Sequence, residues 1–334
     1  MSIKILNPGL MTTVQDLGRF GSQKYGVIVS GAMDPISLRI ANLLVGNDQG
    51  EGAIEITLYG TTLEFEQDHL IAITGGNLQP TIDGKTVPMW RPIFVQKGSV
   101  LQFKSAITGC RAYVAFAGGV AIPKEMGSKS TYLRAKIGGY HGRALQKGDI
   151  LKCGKKSETS KSFSKQLKKM KSPFTWFINY SSFFTFNKVE TIRILKGSEF
   201  ECFDKMSQHH FVREPYILTT KADRMGYQLK GEKLTLSEKF ELLSEGVTYG
   251  TIQVPSNGLP IILMADRQTT GGYPKIGQVI TADLSKLAQM QPTNKVKFEI
   301  VSLDIAEEEL IYQEEKLNEL SLGIDLKSLD YAIS

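Results

Sequence analysis

Short apolar segments at close spacing constrain the fold of this chain more than any other feature. The segments "AIEITL" (Ala53–Leu58), "HLIAIT" (His69–Thr74) and "KVKFEIV" (Lys295–Val301) have the length of strands and the residue types that strands prefer. Asp83-Gly84, between "PTI" and "KTV", is typical of a two-residue hairpin turn, because both positions favour positive φ. The spacing predicts a mainly β fold built from barrels, with few helices.

Three segments are predicted to be helical. Asp34 can cap the helix "ISLRIANLLVG", Pro35 suits its first position, and Gly46 can end it in the left-handed conformation. Asp283 is expected to cap "LSKLAQM" in the same way. The last helix is predicted over Asp304–Leu320, which begins with acidic residues that favour a helix N-terminus.

Positive charge is concentrated in one segment. The net charge is +6, and Lys152–Lys171 alone contains eight lysines and one acid, so the rest of the chain is close to neutral. Such a lysine- and serine-rich run is usually a solvated linker. Only Phe163 could stack on a base within it, which argues against a nucleic-acid partner.

The 334 residues are enough for two domains. The lysine-rich linker is placed at residues 152–185, between an N-terminal unit at 1–151 and a C-terminal unit at 186–334. A short echo between "IKIL" near the start of the first unit and "IRIL" near the start of the second supports two similar units.

The cysteines and the apolar runs suggest a compartment. Cys110, Cys153 and Cys202 are odd in number and lack metal-binding spacing, so neither a disulfide framework nor a metal site is expected. The first residues show no signal-peptide pattern, and the apolar runs are too short to span a bilayer. A cytoplasmic protein without a membrane partner is expected.

Polar residues accumulate beside glycines in three segments, Val14–Pro35, Ala222–Gly231 and Leu242–Gly277. Glycines let backbone N–H groups approach a ligand, arginine matches a carboxylate with two parallel bonds, and threonine and glutamine suit an amide or ureido edge. This chemistry predicts a pocket for a small anion with an amide-like carbonyl. The predicted catalytic residues are Arg267, Gln268, Thr269 and Thr270, and the predicted substrate-binding residues are Asp16, Arg19, Ser30, Arg224, Tyr227 and Tyr273.

Structural roles compete with these interpretations. Asp16 and Arg19 could form a turn ion pair, which is worth about 0–1 kcal/mol if it is exposed. Asp223-Arg224 and Asp266-Arg267 could bridge neighbouring strands. The segment "GSKST" (Gly127–Thr131) resembles the end of a phosphate-binding loop, but its lysine does not follow a glycine, so the motif fails.

Several long motifs resemble the biotin-dependent carboxyltransferase family, also called the allophanate hydrolase subunit 2 family. They include "TVQDLGRFG", "SGAMDP", "GSKSTYLRAKIGGYHGRAL", "LLSEGV" and "MADRQTTGGYPKIGQVITADL". The resemblance runs from about residue 1 to residue 301 and is greatest to the C subunits of prokaryotic 5-oxoprolinases. It implies two cyclophilin-like β-barrel domains with a few short helices.

The resemblance also implies an enzyme that works in a heteromeric complex. The implied activity is the ATP-dependent hydrolysis of 5-oxo-L-proline to L-glutamate, with a KipI-like B subunit and a LamB/YcsF-like A subunit as partners. Two alternatives remain: a carboxyltransferase subunit that uses carboxybiotin delivered by another protein, and a non-catalytic antagonist of a histidine-kinase inhibitor. ATP is expected only in the complex, and no cofactor is expected to be bound covalently to this chain.

The expected roles in the site follow the chemistry of the side chains. Arg267 is expected to hold a substrate carboxylate or a developing anion, while Gln268, Thr269 and Thr270 bind the lactam or ureido group. Tyr273 is expected to close the wall, and Asp16, Arg19 and Ser30 to reach the same cleft from the N-terminal unit. No side chain is an obvious nucleophile, which agrees with activation by ATP or carboxybiotin.

Overall fold

The computed structural model describes residues 2–170, 172–183, 185–238 and 242–333, and its internal contacts divide the chain into two compact units. Unit 1 comprises Met1–Arg19, Asp34–Phe184 and Glu315–Ser334. Unit 2 comprises Phe20–Met33 and Thr185–Glu314. The division differs from the predicted boundaries, because one early segment of the chain belongs to unit 2 and the last residues belong to unit 1.

Unit 1 arranges its strands in two sheets. Its strands are β1 (Ser2–Pro8), β2 (Met11–Gln15), β3 (Ala53–Thr57), β4 (Thr61–Phe65), β5 (His69–Asn77), β6 (Thr81–Ile82), β7 (Lys85–Thr86), β8 (Pro92–Val95), β9 (Val100–Gln102), β10 (Thr108–Phe116) and β11 (Ile150–Lys152). One sheet has the order β11-β1-β4-β9-β6-β7 and the other the order β2-β3-β10-β5-β8. All described pairings in these sheets are antiparallel, and the side chains between them form one apolar cluster.

Unit 2 contains a closed seven-stranded barrel. The strands of unit 2 are β12 (Val189–Lys196), β13 (Tyr216–Leu218), β14 (Gly226–Lys230), β15 (Glu245–Gly246), β16 (Thr251–Gln253), β17 (Ile261–Leu263), β18 (Thr270–Gly271), β19 (Lys275–Val279) and β20 (Lys295–Ile300). The barrel order is β12-β19-β16-β17-β14-β13-β20, and β12 closes it by pairing in parallel with β20. β15 and β18 form a separate two-stranded sheet.

The sequence pattern explains why these segments form barrel strands. Along β12 and β20, buried and more exposed side chains alternate, so Ile192 and Phe298 point into the barrel core while the charged neighbours stay at the surface. The predicted mainly β fold is confirmed. The predicted turn at Asp83-Gly84 is also confirmed, because both residues have positive φ between β6 and β7.

The described chain also contains five α-helices: α1 (Pro35–Leu44), α2 (Glu158–Met170), α3 (Lys205–Arg213), α4 (Leu284–Ala288) and α5 (Leu303–Ile333). Four short 3-10 helices lie at Gln23–Tyr25, Tyr180–Ser182, Phe200–Cys202 and Thr281–Asp283. α1 begins as predicted, because the Ser37 backbone N–H donates to Asp34 Oδ1 at 2.9 Å and Pro35 occupies the first position. Gly46 follows the helix with φ of 71°, which is the conformation expected of it.

The predicted cap at Asp283 is wrong. The carboxylate of Asp283 makes no capping bond to α4, since it accepts hydrogen bonds from the Arg193 backbone N–H at 2.8 Å and from Arg193 Nη2 at 2.7 Å. A buried carboxylate is stabilised more by a guanidinium than by a helix N–H, so this long-range partner takes precedence over the local one.

The lysine-rich segment is helical over much of its length and belongs to unit 1. Phe163 and Leu167 lie four residues apart on one face of α2 and are buried, while most of its lysines are exposed on the other face. The Phe163 ring packs on Phe174 with a centroid distance of 5.5 Å. The segment is therefore an amphipathic helix, although its lysine content is typical of a solvated linker. Lys171, the last residue of the run, lies outside the described residues.

α5 extends well beyond the predicted Asp304–Leu320 and buries Leu317 and Ile324 in the part that belongs to unit 1. Across the described residues, no helix combines the length and the apolar character that crossing a bilayer requires.

His69, at the start of β5, is fully buried and makes no described side-chain hydrogen bond. Its ring packs against Phe65 and Phe116 with centroid distances of 5.5 and 6.3 Å. Burial among these rings, with a further contribution from the charge of Lys156, lowers the pKa of His69 from 6.5 to about 4. The imidazole is therefore neutral in the folded protein at physiological pH.

This pKa predicts how stability depends on pH. In the unfolded chain His69 binds a proton near pH 6.5, whereas in the folded chain it does so only near pH 4. The free energy of unfolding should be highest above pH 6.5 and fall towards pH 4, with His69 contributing up to about 3 kcal/mol of the loss. Urea unfolding of His69→Leu between pH 7.5 and 4.5 should show a weaker dependence on pH than the unmodified protein.

The exposed His209 of α3 provides the matched control. His209→Leu should leave the dependence of stability on pH unchanged. An equal loss of stability in the His69→Leu variant and the unmodified protein over this pH range would contradict the assignment.

Candidate functional site

A buried ion pair lies at the start of the "DRQTTGGY" segment in unit 2. Arg224 Nε donates to Asp266 Oδ2 at 2.9 Å and Arg224 Nη2 donates to Asp266 Oδ1 at 2.8 Å. Each residue is 5% exposed. The Asp266 backbone N–H also donates to the Arg224 carbonyl at 2.7 Å, so both backbone and side chains join these two segments. The alternative interpretation as a structural bridge is confirmed for this pair.

The ion pair also holds the early segment Phe20–Met33 in unit 2. Ser30 Oγ donates to Asp266 Oδ1 at 2.7 Å, and Arg224 Nη2 donates to the Gly31 carbonyl at 2.7 Å. Ser30 and Gly31 both have positive φ, at 56° and 94°. Ser30 was expected to come from the N-terminal unit, but these bonds place it in unit 2. In these bonds the Ser30 hydroxyl and the Arg224 guanidinium donate to other protein atoms.

Arg267, the next residue, has a different environment. Its side chain is 8% exposed, its Nε donates to the Val247 carbonyl at 3.4 Å, and its guanidinium carbon lies 6.0 Å from the centre of the Tyr249 ring. Among the described residues, neither Nη1 nor Nη2 has a hydrogen-bond partner or an acid within ion-pair distance, and both are accessible from solvent. The neighbouring carboxylate of Asp266 is already engaged by Arg224.

Burial lowers the pKa of Arg267 below the usual range for arginine, although a guanidinium keeps its charge at neutral pH. A buried charge without a counter-ion is unfavourable, and an anion at the two terminal nitrogens would offset that cost. Those nitrogens are arranged to bind a carboxylate with two parallel hydrogen bonds. Arg267 therefore has the properties of an anion-binding residue, while Arg224 has those of a structural one.

The three residues after Arg267 keep their side chains available. The side chains of Gln268, Thr269 and Thr270 have no hydrogen-bond partner among the described residues, and Gln268 and Thr270 are exposed. The backbone of this segment is nevertheless fixed, because the Thr269 carbonyl accepts from the Val247 N–H at 3.2 Å and β18 pairs with β15. An ordered backbone with unused polar side chains suits ligand binding.

Tyr273 and Tyr227 lie in different environments. Tyr273 is 51% exposed, and its carbonyl accepts from Gln253 Nε2 at 3.3 Å. Tyr227 is 1% exposed in the barrel core, with its hydroxyl donating to the Ala288 carbonyl at 3.4 Å. The exposed phenol of Tyr273 remains suited to the wall of a site, whereas the contacts of Tyr227 are those of a core residue.

Asp16 belongs to unit 1 and organises the "GSKST" loop. Its carboxylate accepts from Ser128 Oγ at 2.7 Å, from Ser130 Oγ, from the Lys129 backbone N–H and from the Gly18 N–H at 2.8 Å. These four bonds account for the capacity of the carboxylate. Substrate binding by Asp16 stays a prediction without support from its contacts.

Arg19 is fully buried in the same loop region of unit 1. Its Nε donates to the Glu125 carbonyl at 3.0 Å and its Nη2 donates to the Ser130 carbonyl at 2.9 Å. Both of these bonds are made to backbone carbonyls. A role of Arg19 in substrate binding likewise stays a prediction.

Sequence reasoning missed Tyr249, whose ring lies beside the Arg267 guanidinium, and Ser128 and Ser130, which bind Asp16. Tyr249 lies within the segment that was selected for its polar residues, so an aromatic residue near a candidate arginine was an available signal. The serines lie 112 and 114 residues from Asp16, and local patterns contain no information on such pairs.

Comparisons with known proteins identify the class. A family model described as "Carboxyltransferase domain, subdomain A and B" matches residues 25–300, and the chain belongs to this family. It is 43% identical over 305 residues to the C subunit of 5-oxoprolinase from Escherichia coli, covering 91% of this chain and 93% of that protein. It is 40% identical over 304 residues to the same subunit from Haemophilus influenzae, with the same coverage.

A solved structure shows a similar fold. The crystal structure of the K. lactis urea amidolyase superposes with a TM-score of 0.85 at 27% identity, covering 95% of this chain. This chain corresponds to only 20% of that much longer protein. The predicted resemblance to the carboxyltransferase family and the predicted mainly β fold are thus confirmed.

The two neighbouring environments of arginine lead to a paired stability prediction. Arg224→Met should lower the free energy of unfolding by about 3–5 kcal/mol, because Asp266 would keep a buried charge without its partner. Arg267→Met should leave stability unchanged or raise it, because the substitution removes a charge that has no described counter-ion. Guanidinium unfolding monitored by circular dichroism measures both, and an equal large loss in both variants would contradict the distinction.

Proposed function

We propose that this chain is the C subunit of an ATP-dependent 5-oxoprolinase complex that hydrolyses 5-oxo-L-proline to L-glutamate. The observation that carries the proposal is the buried Arg267, whose two terminal nitrogens have no described protein partner. The substrate has a carboxylate, which matches the guanidinium, and a lactam carbonyl, which matches neutral donors. The names of the two bacterial relatives support the same activity.

Each residue of the segment has a separate role in this proposal. Arg267 binds the substrate carboxylate and thereby fixes the orientation of the ring. The Gln268 amide and the hydroxyls of Thr269 and Thr270 donate to the lactam oxygen, where negative charge develops as water attacks the carbonyl carbon. Tyr273 closes one wall against solvent. The ring C–N bond then breaks, and the released nitrogen takes up a proton to become the amino group of glutamate.

This chain's own side chains supply binding and polarisation but no nucleophile. Activation of the unreactive lactam is assigned to ATP, which drives the ring opening in the assembled complex. We expect a B subunit (KipI-like) and an A subunit (LamB/YcsF-like) to complete the enzyme. The roles assigned to Arg267 and the residues after it do not depend on which subunit binds ATP.

The decisive experiment reconstitutes this chain with candidate A and B subunits and follows glutamate release from 5-oxo-L-proline with and without ATP. Arg267→Gln should reduce kcat/KM by about 10²-fold, because charge-assisted bonds to the carboxylate are lost. Its complex with the B subunit should form normally in pull-down or gel filtration. Full activity of Arg267→Gln would refute the assigned role.

Arg134→Gln is the matched control. Arg134 is an exposed arginine of unit 1 for which the described residues provide no ion-pair partner, so its loss should leave both activity and assembly unchanged. No ATP-dependent glutamate release from a folded set of all three proteins would refute the proposed function itself.

The similarity to the K. lactis urea amidolyase favours a second candidate, a carboxyltransferase subunit that acts on a ureido compound. Gln268, Thr269 and Thr270 would bind a ureido group as readily as a lactam, since both offer a carbonyl oxygen and N–H groups. Transfer of labelled carboxylate from carboxybiotin to urea, without glutamate release, would select this candidate. Neutral urea would also make activity less sensitive to Arg267→Gln than a carboxylate substrate does.

A further inference from the structure

Tyr249, between β15 and β16, has side-chain contacts with separate parts of unit 2. Its hydroxyl donates to the Met33 carbonyl at 2.7 Å. Its ring faces the Arg267 guanidinium, whose carbon lies 6.0 Å from the ring centre. The half-buried side chain also packs against the apolar cluster of the barrel. Tyr249 thus joins the segment Phe20–Met33 to the candidate anion-binding residue.

The backbone at Tyr249 is fixed by the neighbouring barrel strands. Gln278 Nε2, on β19, donates to the Tyr249 carbonyl at 2.7 Å, and the Gly250 N–H donates to the Leu263 carbonyl at 2.8 Å. Gly250 has φ of 88°, and a Cβ there would lie 2.9–3.0 Å from side-chain atoms of three neighbours, so this turn requires glycine. These contacts set the position of the ring independently of Arg267.

The Arg267 side chain has fewer constraints of its own. Its one hydrogen bond among the described residues, from Nε to the Val247 carbonyl, is long at 3.4 Å. An arginine side chain loses much rotamer freedom when it is ordered, and one long bond offsets little of that cost. An aromatic ring attracts a guanidinium through its negatively polarised face. The Tyr249 ring is therefore the contact that can select one orientation of the guanidinium.

We propose that Tyr249 is a positioning residue for Arg267, whose guanidinium its ring holds in the orientation that keeps both terminal nitrogens available to the substrate carboxylate. The inference rests on the proposed function, because it concerns the same site. The hydroxyl bond to Met33 fixes the plane of the ring, so the segment Phe20–Met33 contributes to the site through this tyrosine. Tyr249 acts through Arg267 and is assigned no contact with the substrate.

A tyrosine that only fills space beside the barrel would behave differently. Loss of packing lowers stability, whereas loss of position weakens the hold on the substrate. The substrate carboxylate does not react, so Arg267 binds it equally in the ground state and the transition state. A residue that positions Arg267 is therefore expected to affect KM more than kcat.

Kinetics of the reconstituted complex test the proposal. Tyr249→Leu should raise KM for 5-oxo-L-proline by about tenfold and leave kcat within about threefold, because only the hold on the carboxylate is weakened. Tyr249→Phe keeps the ring and should stay within about threefold of the unmodified complex in KM. Tyr25→Leu is the matched control, since Tyr25 is 75% exposed and its ring contacts Lys24 Nζ at 5.0 Å. That variant should leave KM unchanged.

A double-mutant cycle separates positioning from packing. In the Arg267→Gln background, Tyr249→Leu should change kcat/KM by less than about twofold, because no guanidinium remains to be positioned. An equal tenfold loss in both backgrounds would overturn the proposal. Tyr249→Met also lacks a ring but has a longer, more adaptable side chain, and it should give the same pattern. It replaces Tyr249→Leu if circular dichroism shows the leucine variant to be unfolded.

The mobility of Arg267 gives a readout that needs no enzymatic activity. NMR relaxation of the Arg267 Nε–H group in the full chain, assigned by its absence in Arg267→Gln, should show restricted motion through a high order parameter. Tyr249→Leu should lower that order parameter, whereas Tyr249→Phe and Tyr25→Leu should not. An unchanged order parameter in Tyr249→Leu would contradict the positioning role even in an active complex. If the order parameter falls but the unmodified complex releases no glutamate, the proposed function fails and the positioning of Arg267 stands.

Discussion

The bidentate bond between Arg224 and Asp266 is the interaction on which the organisation of unit 2 depends. It connects the ends of two barrel segments to the early segment Phe20–Met33 through Ser30 and Gly31. A buried ion pair of this kind contributes little net stability compared with an apolar pair of the same size. Its effect here is to specify one arrangement, since any other position of these groups would leave a charge buried without a partner.

That arrangement gives the next residue along the chain its unusual state. Asp266 accepts its side-chain hydrogen bonds from Arg224 and Ser30, so Arg267 lies beside a carboxylate that makes no direct ion pair with it. The Tyr249 ring lies beside the Arg267 guanidinium, and the Val247 carbonyl accepts a hydrogen bond from Nε of Arg267. Arg224 thus has a structural role because it pairs with Asp266, whereas the terminal nitrogens of Arg267 remain available.

Local chemistry predicted much of the fold and part of the candidate site. Alternation along β12 and β20, the cap at Asp34 and the turn at Asp83-Gly84 depend on neighbours within a few residues, and each was recognisable in the sequence. The sequence also showed that Arg267 is an arginine in a glycine-flanked polar segment, a residue type suited to an anion. The sequence could not show whether the terminal nitrogens of Arg267 remain without a protein partner. That depends on the bond between Asp266 and Arg224, which lie 42 residues apart.

Partners that are distant in sequence could not be found from local patterns. Asp283 and Asp16 are bound by partners 90 or more residues away in sequence, and such partners leave no periodic pattern. The lysine content of α2 indicated a solvated linker, although Phe163 and Leu167 at helical spacing were the more informative residues. Net charge describes the surface of a segment, whereas folding depends on the few side chains that it buries.

The distribution of the chain between the two units affects how the protein is made. Ser30 cannot form its hydrogen bond to Asp266 until that residue is synthesised, 236 residues later. Unit 1 in turn is incomplete until Glu315 and the residues after it have left the ribosome. Folding in order of synthesis therefore cannot complete unit 1 before all of unit 2 has been translated, and the segment Phe20–Met33 cannot make its bond to Asp266 until most of the chain exists.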